Sequence, residues 1–203
     1  MQANAGTPQS PTLKLVAVVE LVETTKPTLR KRPKKSMQKV KKMKIIEYFT
    51  TENKEYWLNE IGKSDWGAGQ YLHQLLRENR LKSMVGETAV VPMLVDGDKL
   101  IAFCTFAPLD DIQPTDLSPW IGFAYTFPQY RGHRYLGLLL DYAESIAAIM
   151  GKEYIYISTG HTGLYEKYGY EFFKMEKDID GEDSRVYRKA LAKEGLKRLE
   201  SMA

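Results

Sequence analysis

Arg131, Gly132 and Arg134 stand between two apolar runs. The first, WIGFAYTFP over 120–128, ends in proline, and the second is a dense run from Leu138 to Ala147. A strand that feeds a helix through a short cationic turn has one chemistry ready to hand. The first N–H groups of a helix lack intrahelical acceptors and carry the positive end of the helix dipole, so they bind anions. Two guanidinium groups add full charge and a forked donor geometry that suits phosphate oxygens. The turn therefore reads as a phosphate or pyrophosphate site. A second set of reactive side chains, His161 and Tyr165, lies in HTGLYEKYGY over 161–170, directly after the strand-like EYIYIS of 153–158. A phenol donates a proton at neutral pH, and an imidazole carries one in either direction. Gly169 is placed to end a short helix there. Taken singly, these patterns also fit a solvated turn and a capped surface helix.

Their order and spacing say more. Pro128-Gln129-Tyr130-Arg131-Gly132 and Tyr165-Glu166-Lys167-Tyr168-Gly169-Tyr170 are separated by enough chain for one helix and one strand. In this the chain resembles the GNAT family, the GCN5-related N-acetyltransferases, whose pattern is strand, P-x-Y-R-G, turn, helix, strand and Y-x-x-x-G-[FY]. The resemblance covers roughly 44–191, with the specific motifs in the second half. There are two departures. The family's loop [QR]-x-x-G-x-[GA], begun at Arg131, puts Arg134 at the first glycine and Leu136 at the Gly/Ala position. An arginine there gives up easy access to positive φ. In addition, Ser158 stands where many relatives carry asparagine.

The resemblance implies acetyl-CoA as cosubstrate, held in a V-shaped split between the strands at 120–127 and 154–159. Ala124, Tyr125 and Thr126 would offer backbone groups to the pantetheine arm and thioester. The stretch Arg131, Gly132, His133, Arg134, Tyr135, Leu136 and Gly137 would hold the pyrophosphate. An amine would attack the thioester directly, through a tetrahedral intermediate. Tyr165 is the expected general acid toward the CoA thiolate. His161 is the protein base or proton relay, with helix capping or plain exposure as its alternative. Trp120, Ile121, Phe123 and Tyr125 leave no carboxylate on the central strand. Asp110, Asp111 and Asp116, in the loop before it, either act through water or are solvated loop charges. The acceptor pocket would be built by the two early helices and their connection, where Asp65, Trp66, Gln70 and His73 stand. That lining suits a cationic amine. The expected activity is N-acetyl transfer to a small-molecule or peptide amine; the alternative is a non-catalytic acyl-CoA-binding or regulatory domain.

The bulk numbers agree with one domain and a tail. The chain has 203 residues and a single cysteine, Cys104, so no intramolecular disulfide is possible. Cys104 lies in an apolar, strand-like run and is read as buried and inert. Three histidines and one cysteine, without metal-ligand spacing, give no expected metal site. No apolar run is long enough to span a membrane, and a monomer or homodimer in the reducing cytoplasm is expected. The net charge of +3 hides an asymmetry: residues 1–44 hold 11 basic and 2 acidic side chains, leaving 18 and 24 for the remainder. The first 42 residues read as a basic, disordered extension, 43–192 as the acetyltransferase domain and 193–203 as a tail. Nucleic acid is not expected as a partner, because the basic run 30–44 has no aromatic side chain for base stacking.

Apolar patterning predicts strands at 44–49, 89–95, 99–107, 120–127, 155–159, 169–175 and 185–190. It places helices at 51–61, from 71 to about 81, from 138 to 150 and at 161–168. The segment 65–70, with Gly67 and Gly69, is read as a break. This order matches the family's, and the resemblance then implies an α/β (α+β) fold: a mixed, mostly antiparallel sheet flanked by helices and split between its fourth and fifth strands.

Overall fold

The computed structural model describes residues 43–191; the expected extension 1–42 and tail 193–203 lie outside them. Within these residues the period-two runs form one seven-stranded sheet in the order β1-β2-β3-β4-β5-β7-β6. The strands are β1 (Lys44–Glu47), β2 (Pro92–Asp96), β3 (Lys99–Ala107), β4 (Trp120–Thr126), β5 (Tyr154–Thr159), β6 (Glu171–Lys177) and β7 (Asp183–Ala190). Every neighbouring pair is antiparallel except β4 and β5. The mixed fold and the split between the fourth and fifth strands are as the sequence predicts.

Alternation along β3 explains the two layers. Phe103 packs into a cluster with Trp57, Ile61, Leu72 and Leu75 on one face. Its neighbours Ala102 and Cys104 turn to the other face, against Leu139, Leu140 and Ala143. The first face is covered by α1 (Lys54–Ile61), α2 (Gly67–Arg77) and α3 (Leu81–Val85), the second by α4 (Tyr135–Ile149). Burying a leucine or isoleucine is worth about 1.5–3 kcal/mol, so these two clusters hold the layers together. Glu144 ties α4 to the far strands, accepting from Tyr170 Oη at 3.1 Å and Lys189 Nζ at 2.7 Å.

Two predicted boundaries are wrong for physical reasons. Segment 65–70 does not break the helical run, because α2 begins at Gly67. Gly69 is there for space: a Cβ on it would lie 2.4 Å from Ser64 Oγ. The second early helix also does not run through Leu81. Asn79 takes φ 54°, a left-handed turn that ends α2 and lets α3 start afresh. β1 ends at Glu47 and β2 begins at Pro92, so both are shorter than predicted. Val90 meets Phe106 only as an isolated bridge before β2, since Pro92 has no N–H to donate.

Candidate active site

β4 and β5 are paired at Trp120 and Tyr156, where Tyr156 N–H also donates to Pro119 O at 3.0 Å. Beyond that point no pairing joins them, and a cleft of about 1090 Å³ opens between their C-terminal halves. The β4 side of the cleft is bulged. Phe103 pairs with Tyr125 and Thr105 with Gly122, so Phe123 and Ala124 together face Cys104. Phe123 takes φ 48°, which for an aromatic residue costs on the order of 1–2 kcal/mol. A bulge re-aims backbone groups and frees them from the ladder. Here Phe123 and Ala124, the bulged residues, both line the cleft.

The cationic turn lies at one end of the cleft. Residues 128–130 make one 3₁₀ turn, Gly132 takes φ 84°, and Arg134, at the N-cap of α4, takes φ 59°. Arg134 thus adopts the left-handed conformation that glycine would take at lower cost. No side chain caps α4, leaving its first N–H groups open toward the cleft. The two arginines differ. Arg131 is committed: its Nε donates to Thr126 O at 3.0 Å, and its Nη2 lies 3.7 Å from Asp65 Oδ1. The Arg134 side chain makes no hydrogen bond or ion pair with a described residue, and Arg134 lines the cleft. Of the remaining loop residues, Tyr135 and Leu136 line the cleft, whereas His133 and Gly137 do not. Gly137 instead makes room for a neighbour, since a Cβ there would stand 2.9 Å from the Tyr168 ring. The two sequence motifs meet at that contact.

Tyr165 is 5% exposed and lines the cleft. It is positioned by a 3₁₀ turn, Tyr165–Tyr168, closed by Gly169 at φ 85°. The turn is pinned to β7 where Tyr187 Oη donates to Glu166 Oε1 at 2.8 Å. No hydrogen-bond partner among the described residues occupies the Tyr165 hydroxyl. Burial, then Cys104, Asp110 and Tyr168, push its pKa well above the usual phenol value, so it stays protonated at any working pH. His161 is exposed at the mouth, its N–H donating to Thr159 Oγ1 at 3.1 Å.

The expected acceptor residues separate. Tyr125 Oη donates to Asp65 Oδ1 at 2.5 Å, and Trp66 stacks on the Tyr125 ring at 5.9 Å. Both Asp65 and Trp66 line the cleft. Gln70 does not: its amide donates to Gly62 O at 2.8 Å and Ser64 O at 2.6 Å, clamping the loop before α2. His73 is likewise absent from the lining; its ring lies against Gly62.

The opposite end of the cleft is acidic, and sequence reasoning reached only part of it, naming Asp110 and Asp111 as loop carboxylates without the hairpin aspartates that join them. Asp110 and Asp111 from the β3–β4 loop face Asp178, Asp180 and Asp183 from the β6–β7 hairpin. The hairpin is docked by Ile179 N–H donating to Asp111 O at 2.9 Å. Asp111 has one carboxylate oxygen buried without a partner. Its pKa is raised by burial, against a hydrogen bond from Ser158 that lowers it. Asp110 is pushed up to about 8, chiefly by burial and then by Asp111. Gly122 carried the one signal that could have located this end, because a glycine inside a strand marks a close approach. Cys104 is buried on β3 and its thiol is pushed up to about 12 by burial, which leaves it unreactive. Among the described residues no group of three or more His, Cys, Asp and Glu is arranged to hold a metal ion, and no helix is long and apolar enough to cross a membrane.

Comparison with known proteins agrees with this geometry. The profile described as the Acetyltransferase (GNAT) family matches residues 46–170. No curated protein matches the chain by sequence. Several solved structures share the fold. An acetyltransferase from Streptococcus agalactiae is 21% identical with TM-score 0.53, covering 73% of this chain and 98% of its own. An aminoglycoside 6'-N-acetyltransferase from Enterococcus faecium is 16% identical with TM-score 0.53, covering 73% and 97%. A GNAT family acetyltransferase from Elizabethkingia anophelis with acetyl-CoA bound is 14% identical with TM-score 0.52, covering 73% and 98%.

Proposed function

This chain belongs to the GNAT family of acetyltransferases, and from that premise we propose that it moves the acetyl group of acetyl-CoA to a primary amine that is cationic in solution. The observation that carries the reading is the bipolar cleft. Open helix N–H groups and Arg134 stand at one end, five aspartates at the other, and the β4 bulge lies between them. A diphosphate-bearing cosubstrate suits the first end. An ammonium-bearing acceptor suits the second.

In this reading the pyrophosphate of acetyl-CoA lies on the first turn of α4, beside Arg134. Arg131 serves mainly to brace the loop against Thr126 and Asp65. The freed backbone of Phe123 and Ala124 faces the thioester carbonyl, where one N–H donor to the developing oxyanion is worth about 3–4 kcal/mol. The deprotonated amine attacks the carbonyl carbon. As the C–S bond breaks, Tyr165 gives its proton to the departing thiolate. Burial keeps it in its proton-bearing form. Asp65 and Trp66 border the cleft beside Tyr125 and limit the shape of the acceptor.

The test is release of CoA thiol by the full chain with acetyl-CoA and four amines: spermidine, kanamycin, Nα-acetyl-lysine and benzylamine. Amine-dependent release is expected, with the multiply charged amines preferred, and a mass gain of one acetyl group on the amine. Tight acetyl-CoA binding without turnover on any amine would favour the non-catalytic acyl-CoA-binding alternative.

A further inference from the structure

Gly122 is the residue of β4 next to the bulge, and the space a side chain would take there is occupied. A Cβ on Gly122 would lie 2.7 Å from Asp110 Oδ1 and 2.9 Å from Oδ2. The carboxylate therefore lies flat against the central strand, one residue from the strained Phe123, although it comes from the preceding loop. Asp111 N–H supports the carboxylate, and Gln113 Nε2 braces the loop by donating to the main-chain carbonyl of Asp110 at 2.7 Å. No cation among the described residues pairs with it. We propose that Asp110 is the general base of this enzyme, taking the proton from the acceptor's ammonium group beside the β4 bulge, with Gly122 as the residue that admits it.

The inference rests on the acetyl-transfer reading. The central strand has no carboxylate of its own, and the loop supplies one through the gap that a glycine leaves. The proton count closes. Asp110 takes one proton from R–NH₃⁺ and passes it to solvent. The nitrogen lone pair forms the C–N bond, and the oxyanion then collapses to break the C–S bond. The thiolate is protonated from Tyr165, which is recharged by the second proton lost from nitrogen. The ionisable groups near this end of the cleft are Asp111 on the same loop, Tyr165 and Tyr168 on the 3₁₀ turn, and His161, Asp178, Asp180 and Asp183 across the opening. Burial and Asp111 set the affinity of Asp110 for a proton at about 8, much nearer an amine's than a solvated aspartate's. A base matched to its proton donor works best.

The experiment compares wild type, Asp110→Asn and Gly122→Ala in the full chain, with acetyl-CoA and spermidine or kanamycin, from pH 6 to 10. Wild-type kcat/KM is expected to rise with pH through about 8. Asp110→Asn keeps the shape of the side chain. It should retain acetyl-CoA affinity, lose about 100-fold in turnover at pH 7, and close on wild type toward pH 10, where the amine deprotonates unaided. Gly122→Ala should lose turnover with acetyl-CoA affinity intact, because its methyl group displaces the carboxylate. Carbon-13 titration of the aspartate carboxyls, with no acceptor present, should show one carboxyl titrating near 8 that vanishes in Asp110→Asn. An Asp110→Asn variant within about twofold of wild type overturns the inference, as does a deficit that is the same at pH 7 and pH 10, or a carboxyl that titrates near 4. In those cases acetyl transfer by wild type leaves the proposed function standing. A wild type that acetylates neither amine overturns both.

Discussion

The two ends of the cleft are built by opposite means. The cationic end is local: the strand end, the 3₁₀ turn, the left-handed Arg134 and the first turn of α4 follow one another along the chain. Its chemistry comes mostly from backbone N–H groups, so the conformation of a few residues makes the site. The acidic end is assembled from segments far apart in sequence, the β3–β4 loop and the β6–β7 hairpin, joined by the Ile179 to Asp111 hydrogen bond. Its chemistry is carried by side chains, with each aspartate contributing by position. A site made of backbone groups depends on φ more than on side-chain identity, and Arg134 holds the left-handed φ that a glycine would take. A site of converging side chains changes with any one of them, so it is the end free to differ between members of a fold in what it accepts.

The strongest way to break this division is at the join. Tyr165 belongs to neither end, and Tyr165→Phe should lower kcat by about 10²-fold, the low end for loss of a general acid, because CoA thiolate is a fairly good leaving group. Acetyl-CoA affinity should be unchanged, as the ring stays packed against Tyr170 and Tyr187. Single-turnover kinetics will read the chemical step. A variant with the full single-turnover rate would remove Tyr165 from the reaction.

A smaller effect sharpens the contrast in electrostatics. The Asp110 pKa is raised from 3.8 to about 8 in the fold. For a group shifted upward, the stabilisation is complete below the unfolded value and is lost as pH rises through the folded one. The wild type should therefore lose stability between about pH 4 and pH 8. Asp110→Asn should escape that loss and melt about 4–8 °C higher at pH 9, taking the contribution as about 2 kcal/mol. Thermal melts at pH 5 and pH 9 check this, and equal pH dependence in both proteins would show that the carboxyl is not desolvated.

The smallest effect concerns the loop. Arg134→Gly should relieve the left-handed strain and raise stability by about 1 kcal/mol, seen as a rise of about 2–4 °C in Tm. It should also weaken CoA by several-fold through loss of the charge. A gain in CoA affinity would instead make the arginine an obstruction.

How much could be read from the sequence follows the same line. The cationic end and Tyr165 were legible because their residues are consecutive and sit at a strand-to-helix junction, where spacing alone fixes geometry. The pairing of β2 with β3 was legible for a similar reason, since Asp96-Gly97-Asp98 and the alternation around it mark a hairpin. Gln70 was misread as substrate-facing because nothing local shows that its amide turns back to Gly62 and Ser64. Gly69 helped segment 65–70 read as a break because a glycine needed for close approach, here to Ser64, looks, in sequence, like one needed for a turn. Asp178 and Asp180 were invisible as site residues, because only the docked hairpin brings them beside Asp110. Asp110 itself was one of three loop carboxylates until Gly122 singled it out.

The central claim is that the two ends serve two different substrates, and one paired titration tests it directly. Acetyl-CoA affinity by calorimetry and spermidine KM by thiol release are measured for wild type, Arg134→Ala and Asp180→Asn. The account predicts a crossed pattern. Arg134→Ala should weaken acetyl-CoA by about tenfold, the loss of one charge-assisted phosphate contact, and leave spermidine KM within about twofold. Asp180→Asn should raise spermidine KM about three- to fivefold, as expected of one partly screened charge, and leave acetyl-CoA affinity unchanged. If both substitutions weaken the same ligand, or if neither moves its own, the cleft is not divided in this way and the account is contradicted.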